Sequence, residues 1–314
     1  MQSMPEKTEQ HTIISYLIKL SISAGLLLLI IRTVNLDETL TSLSLVPPAF
    51  FIGALCLQLA STSIASYRWF LIMRRLGSKD TFIFFLKSYF KGTFFNQGLP
   101  TSIGGDGIRI VDYSRVSGST LDAFCGVFID RFAGLAGLLI LNICALSFSG
   151  ELLPQQIRYL LFSVLLLLLL FLVALFYPRR IKFFTANRWF SMIGQLSERY
   201  WQVYSSPLSI AAQLGLSILI HLCAMTAIYF LGTGVGVNYP LTVFLVLVPP
   251  VILLTLLPIS LAGWGIREGA MVGFFLLVGA DKTRVLSFSV LYGIIVLLHS
   301  LPGLVVYLAQ KNKL

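Results

Sequence analysis

Charge is the scarcest property of this sequence. Only 11% of its 314 residues are Asp, Glu, Lys or Arg, where a soluble domain carries about 25%. No polar stretch is long enough to fold as a separate soluble unit, so residues 1–314 read as a single integral membrane domain. Cysteine is sparse too: Cys56, Cys125, Cys144 and Cys223 all fall inside apolar runs without metal-ligand spacing, and read as small packing residues. The sequence has no Gly-x-x-x-x-Gly-Lys-Ser/Thr loop, no His-Glu-x-x-His and no Gly-x-Ser-x-Gly elbow. ATP hydrolysis and recognisable hydrolytic chemistry are therefore excluded as expectations, and no catalytic residue, metal or cofactor is expected. Nor is there a small-residue cleavage site behind the first apolar run, Ile13 to Ile31, which reads as a permanent helix.

What the chain does have is hydrophobicity: 57% apolar residues and a mean hydropathy of +0.87. Six segments, near 13–32, 47–73, 121–148, 157–177, 208–232 and 284–309, are long enough to cross a hydrocarbon core, which needs about 20 apolar residues. Two more, Phe82 to Gly98 and Leu241 to Leu257, reach only about 25 Å at 1.5 Å per residue and read as first limbs of re-entrant hairpins. An alternative keeps both as short complete spans, for eight crossings. The net charge of +10 is concentrated in a few loops. Arg68, Arg74, Arg75, Lys79, Lys87 and Lys91 follow the second span, and Arg179, Arg180, Lys182, Arg188 and Arg199 follow the fourth, which makes these loops cytoplasmic. Both termini fall on the same side, in a cell membrane such as a bacterial inner membrane. This pattern is membrane asymmetry, and no nucleic-acid partner is expected.

Eleven residues occur twice. Leu99 to Arg109 reads Leu-Pro-Thr-Ser-Ile-Gly-Gly-Asp-Gly-Ile-Arg; Leu257 to Arg267, 158 residues later, reads Leu-Pro-Ile-Ser-Leu-Ala-Gly-Trp-Gly-Ile-Arg. The flanking spans repeat at a similar offset. On the loop-charge map the first hairpin enters from the cytoplasm and the second from outside, so the expected architecture is all-α and polytopic: about six transmembrane helices plus two re-entrant hairpins in an inverted-topology repeat, with halves 13–148 and 157–309.

The motifs carry the candidate chemistry. Pro100 and Pro258 end the incoming limb, and Gly104, Gly105, Gly107, Gly263 and Gly265 permit a tight reversal with exposed amides. With Ser102 and Ser260, and with Arg109 or Arg267 at the start of the returning limb, each motif would bind a phosphate. The competing reading is that the glycines and prolines only allow close packing, with the arginines snorkelling to headgroups. Asp106, Glu268 and Asp130 beside Arg131 are charges at membrane depth, suited to gating, coupling or structural pairing. Asp130 would pair with Arg131 or with a motif arginine. Lys87 and Lys91 share a face of the first limb and line a cytoplasmic entrance or snorkel. His221 and His299 read as interhelical hydrogen-bonding groups or proton carriers, and Tyr67-Arg68-Trp69 as an interface anchor.

Three blocks in order, Asn96-Gln97-Gly98 running into the first motif, Asp130-Arg131-Phe132-Ala133-Gly134, and Pro258-Ile259-Ser260 with Gly263-Trp264-Gly265-Ile266-Arg267-Glu268, resemble the flippase-like family of lysylphosphatidylglycerol synthetase transmembrane regions. The resemblance implies lipid translocation between leaflets and adds Asn96 to the substrate-binding set. The soluble aminoacyltransferase domain of full-length members is absent from these residues, so synthase activity is not carried over. The resulting expectation is a transporter moving an anionic or phosphate-bearing lipid through a central polar cavity. Its partners would be membrane lipids, with a second copy of the chain or a separate lipid-synthesising enzyme beside it. The alternatives are a membrane transferase using Asp106, Asp130 or Glu268 as base on a lipid carrier, and an ion-coupled carrier of a small soluble anion.

Overall fold

A backbone amide in hydrocarbon finds no water, so an apolar chain that enters a bilayer closes its hydrogen bonds internally as helix. The computed structural model describes residues 41, 46–98, 104–175 and 191–311, and ten helices appear among them. They are α1 (Pro48–Arg75), α2 (Phe82–Gly98), α3 (Gly104–Ser117), α4 (Thr120–Ser147), α5 (Gln155–Leu175), α6 (Ser191–Val203), α7 (Pro207–Gly234), α8 (Leu241–Thr255), α9 (Ile266–Leu276) and α10 (Lys282–Lys311). Five, α1, α4, α5, α7 and α10, are long and apolar enough to cross a membrane. The expected span at 13–32 lies outside the described residues.

Local chemistry sets the helix ends. α1 and α7 each begin with proline at the first helical position, where its missing N–H costs nothing. Ser119 Oγ accepts from Asp122 N at 3.2 Å to cap α4, and Asp281 Oδ1 accepts from Arg284 N at 2.9 Å at the start of α10. Arg74 and Arg75 close α1, where cations suit the negative end of the helix dipole.

α1 and α7 make the most extensive contact of the fold. They run antiparallel, with Gly53 against Phe230, Ser61 Oγ donating to the Ile220 carbonyl at 3.1 Å, and Arg68 reaching Ser217. The contacts α1–α2, α2–α3, α3–α4 and α1–α4 recur as α7–α8, α8–α9, α9–α10 and α7–α10, and the crossed contacts α2–α10 and α1–α10 recur as α8–α4 and α7–α4. α2 and α3 form an antiparallel pair, as do α8 and α9. With 17, 14, 15 and 11 residues, these four are each shorter than the roughly 30 Å core at 1.5 Å per residue.

α8 carries Pro249 and Pro250 in its interior. Neither can donate to the carbonyl four residues back, which leaves the oxygens of Leu245 and Val246 without their helical partners. Asn142 on α4 supplies both bonds, its Nδ2 donating to Leu245 O at 2.9 Å and to Val246 O at 3.0 Å. One buried amide thus repairs a broken helix and fixes the α4–α8 crossing. α10 crosses α2 by a different device, since a Cβ on Gly303 would strike the Phe90 carbonyl.

α6 lies in a segment whose charge pattern predicts a cytoplasmic loop. It is amphipathic: Leu196, Tyr200, Val203 and the following Tyr204 pack with Ile72 and Ile129, while Glu198 and Gln202 face outward. Arg199 pairs with Asp122 at 2.6 Å and so ties α6 to α4.

Candidate functional site

Two glycines bring the limbs of the first hairpin into backbone contact. A Cβ on Gly105 would collide with the Gly92 carbonyl group. Asn96 on α2 accepts from Gly105 N at 2.7 Å and so satisfies one of the free amides at the start of α3. Asn96 is therefore a strut between the limbs. Gly104 opens α3, and Gly107 is exposed with open space around it. Ser102 lies outside the described residues, with Leu99 to Ile103.

From this hairpin a chain of alternating charge runs through the protein. Arg68 on α1 donates from Nε to Asp130 Oδ1 at 2.9 Å and from Nη2 to the Asp130 carbonyl at 2.9 Å; its Nη1 reaches Ser217 Oγ on α7 at 2.8 Å. The other oxygen of Asp130 accepts from Arg109 Nη2 at 2.8 Å. Arg109 Nη1 donates to Asp106 Oδ1 at 3.0 Å, and Asp106 accepts from Arg131 Nε at 2.6 Å and Nη2 at 3.0 Å. Arg68, Asp130, Arg109 and Asp106 are all buried, whereas the Arg131 side chain is 43% exposed. Arg131 thus presents the outer end of a five-membered chain whose inner end touches α7.

Arg109 is the most enclosed of the three arginines. Its guanidinium carbon lies 4.2 Å from the ring centroids of both Trp69 and Tyr89, and it is 2% exposed. Both terminal nitrogens bond carboxylates. This arginine positions Asp106 and Asp130, and Arg131 is the one that meets open space. With Asp106, Ile110, Phe124, Phe128, Phe132 and Leu256, Arg131 lines a cavity of about 370 Å³.

The second motif makes a separate cluster. Ala262, Gly263 and Gly265 take positive φ of 49°, 79° and 85°, which turns the chain sharply from α8 into α9. Glu268 reaches back to accept from Gly265 N at 2.6 Å, while its other oxygen accepts from Arg267 Nε at 2.8 Å and Nη2 at 2.6 Å. Arg267 also packs on Trp264 at 4.5 Å, in space left by Gly293, where a Cβ would strike both side chains. Arg267 lines a cavity of about 240 Å³ with Gln58, Thr255, Ala262 and Tyr292. The buried Ser260 Oγ and Gln58 Oε1 have no hydrogen-bond partner among the described residues. The end of α8 stands between the two cavities, with Leu256 lining one and Thr255 the other.

The structure thus unites Asp106, Arg109, Asp130 and Arg131 in one cluster and Arg267 with Glu268 in another. Among the described residues, no hydrogen bond or ion pair joins the two. Asp130 pairs with Arg68 and Arg109 rather than with its neighbour Arg131, because adjacent residues on a helix point in different directions. Arg68 and Trp69 correct the interface-anchor reading: they are 4% and 0% exposed. A carboxylate inside a span needs cations from other helices, and Arg68 is one of them. Arg68, Trp69, Tyr89, Ser217 and Gln58 were all missed from sequence as site residues. Lys91 is buried and bonded to Asp112 at 2.5 Å and Gln310 at 2.7 Å, while Lys87 is exposed. His221 meets the Gly134 carbonyl at 2.9 Å, and His299 the Ile295 carbonyl at 3.3 Å.

Apolar helices of spanning length around a buried, charge-paired interior define a multi-pass α-helical membrane protein. The chain belongs to the family described as the lysylphosphatidylglycerol synthase TM region, whose model matches residues 16–303. Membership ties the chain to lipid-related membrane function. No curated protein matches the sequence.

Proposed function

We propose that the chain is a lipid translocase that moves an anionic or phosphate-bearing lipid between leaflets. The observation that carries this reading is the Asp106–Arg131 pair at the wall of an otherwise apolar cavity of about 370 Å³. Arg131 brings a fixed positive charge to that wall, oriented by Asp106, and a guanidinium is well matched to phosphate. Taking a polar headgroup through bare hydrocarbon leaves its hydrogen bonds unmade, a cost that a polar cavity removes. Each candidate general base is spent on arginine, since Asp106, Asp130 and Glu268 all accept from guanidinium groups. That favours transport over group transfer.

Two re-entrant hairpins in an inverted repeat would supply the two gates. The recurring contact pattern supports this, and so does the α1–α7 crossing. Ser61 and Ile220, in contact there, are 159 residues apart, the spacing between Pro48 and Pro207 at the starts of the two helices. Equivalent residues of antiparallel helices meet where a two-fold axis runs perpendicular to them, which for spanning helices lies in the membrane plane. With the basic loops cytoplasmic, an inside-negative potential would favour outward movement of an anion by about 2.3 kcal/mol per charge per 100 mV.

The test is reconstitution of the chain in liposomes with headgroup-labelled phosphatidylglycerol, reading the fraction of label accessible from outside over time. Wild type is expected to exchange the label between leaflets, and Arg131→Gln to slow exchange about tenfold, the loss of one charge-assisted contact. The reading fails if neither phosphatidylglycerol nor a polyprenyl phosphate is exchanged, or if Arg131→Gln exchanges at the wild-type rate. Chemical conversion of the lipid in the same vesicles would favour a transferase instead.

A further inference from the structure

A third cavity, a recess of about 250 Å³, opens among α4, α5, α6 and α7. Phe132 and Ala136 on α4, Leu169 and Val173 on α5, Trp201 on α6 and Leu214 on α7 line it. Its walls are aliphatic and aromatic, and the only hydroxyls among its lining side chains are those of Tyr200 and Tyr204. An apolar recess of this kind does not hold water stably.

Phe132 lines both this recess and the Asp106–Arg131 cavity, so the two adjoin at this residue. Phe124, Phe128 and Phe132, each one helical turn from the next, form a strip along α4 with ring centroids 5.6 and 4.5 Å apart. All three rings line the charged cavity, and Phe132, at the end of the strip beside Arg131, also lines the recess. On the far side α5 keeps Leu160, Val164, Leu167, Leu170 and Phe171 exposed along its length, as bilayer-facing positions would be. A cavity with a charged, aromatic wall that adjoins an apolar slot beside a helix with exposed aliphatic side chains suits the head and tail of one amphiphile.

We infer that the recess between α4, α5, α6 and α7 holds an acyl chain of the lipid whose headgroup sits at Asp106 and Arg131, with Phe132 where the two cavities adjoin. The inference rests on the translocase reading and assigns the tail path that this reading leaves open. Ala136 is the smallest side chain of the wall that remains partly accessible, so filling this position closes the slot without touching the charged residues.

The probe is phosphatidylglycerol carrying a diazirine midway along one acyl chain, photolysed in vesicles with the full chain and mapped by mass spectrometry. Adducts are expected on the stretches around Ala136, Leu169 and Leu214 in excess of those at the bilayer-facing Leu167. Ala136→Trp should reduce the recess adducts about tenfold while leaving those at Leu167 unchanged. Recess adducts no more frequent than adducts at Leu167 in wild type overturn the proposal without any variant, and so do adducts that survive Ala136→Trp in protein that still exchanges lipid. Exchange without recess adducts removes the tail slot and leaves translocation standing. Recess adducts without exchange keep the slot and remove translocation.

Discussion

Replacing Asp130 by asparagine tests whether the charge chain is held by ionic bonding or merely accommodated. Asp130 is fully buried and gives one oxygen to Arg68 Nε at 2.9 Å and the other to Arg109 Nη2 at 2.8 Å. The carboxamide of Asp130→Asn would keep the shape but turn an NH₂ towards one of the two guanidinium groups, so one charge-assisted bond, worth about 1.5–3 kcal/mol, becomes a donor facing a donor. Both arginines also lose their shared counter-charge. Breaking a buried pair costs about 3–5 kcal/mol. Arg68 retains Ser217 and the backbone carbonyl of residue 130, and Arg109 retains Asp106, which places the loss at the lower end, about 3 kcal/mol. The assay is reversible unfolding in mixed micelles, with Arg131→Gln as the comparison; its partly exposed pair with Asp106 should cost no more than about 1 kcal/mol. A cycle of Arg68→Met, Asp130→Asn and the double variant should give a coupling of about 0.5–3 kcal/mol. The reasoning is refuted if Asp130→Asn lies within about 0.5 kcal/mol of wild type, or if the two single losses simply add.

Three further substitutions read other parts of the argument. Asn142→Leu strands the Leu245 and Val246 carbonyls and should destabilise by about 2 kcal/mol or more; adding Pro249→Ala and Pro250→Ala, which restores intrahelical donors, should recover most of the unfolding midpoint. Gly105→Ala drives a Cβ into the Gly92 carbonyl and should cost about 1–3 kcal/mol, whereas Gly107→Ala, facing open space, should change stability by no more than about 0.5 kcal/mol in the same measurement. Arg109→Lys keeps the charge but cannot stack as a plane on Trp69 and Tyr89 while also bonding two carboxylates, so it should lose about 1–2 kcal/mol; a variant as stable as wild type would mean the rings contribute no more than packing.

The long helices were legible because hydrocarbon leaves so few options: an apolar run of spanning length has to be helical, and the five described spans fall close to where hydropathy put them. The breaks after α2 and α8 were legible for the same reason, since glycine and proline mark where that rule is suspended. α6 escaped because a one-sided helix of 13 residues has no spanning run, and Arg199 within it together with the basic residues that precede it dominates a reading by loop charge. Arg199, counted there as a loop cation, is a side chain of that helix paired across to Asp122. The repair of α8 by Asn142 was equally hidden. The prolines announce two unmet carbonyls, but nothing in the order of residues says which of the distant polar side chains will reach them.

At the site, the sequence supplied the charges and the structure supplied the pairing. Motif alignment sets Asp106 against Trp264 and suggests two arginines in unlike surroundings. In three dimensions each arginine is paired with carboxylate and packed on aromatic rings, drawn from different sources. Arg109 takes one acid from within the motif, at Asp106, a second from Asp130 on α4, and its rings from Trp69 on α1 and Tyr89 on α2. Arg267 takes its nearer ring from within the motif, at Trp264, a more distant one at 6.0 Å from Tyr292 on α10, and its acid from the next residue, Glu268. The difference has a physical consequence. Rings drawn from two other helices enclose Arg109 and hand the cavity wall to Arg131, one helix away, whereas an acid and the nearer ring, both local to the turn, leave Arg267 itself lining its cavity. Similar ingredients in a different order thus produce one cavity whose cation is braced by a chain reaching α7, and another whose cation bonds the carboxylate of its own turn and packs against α10.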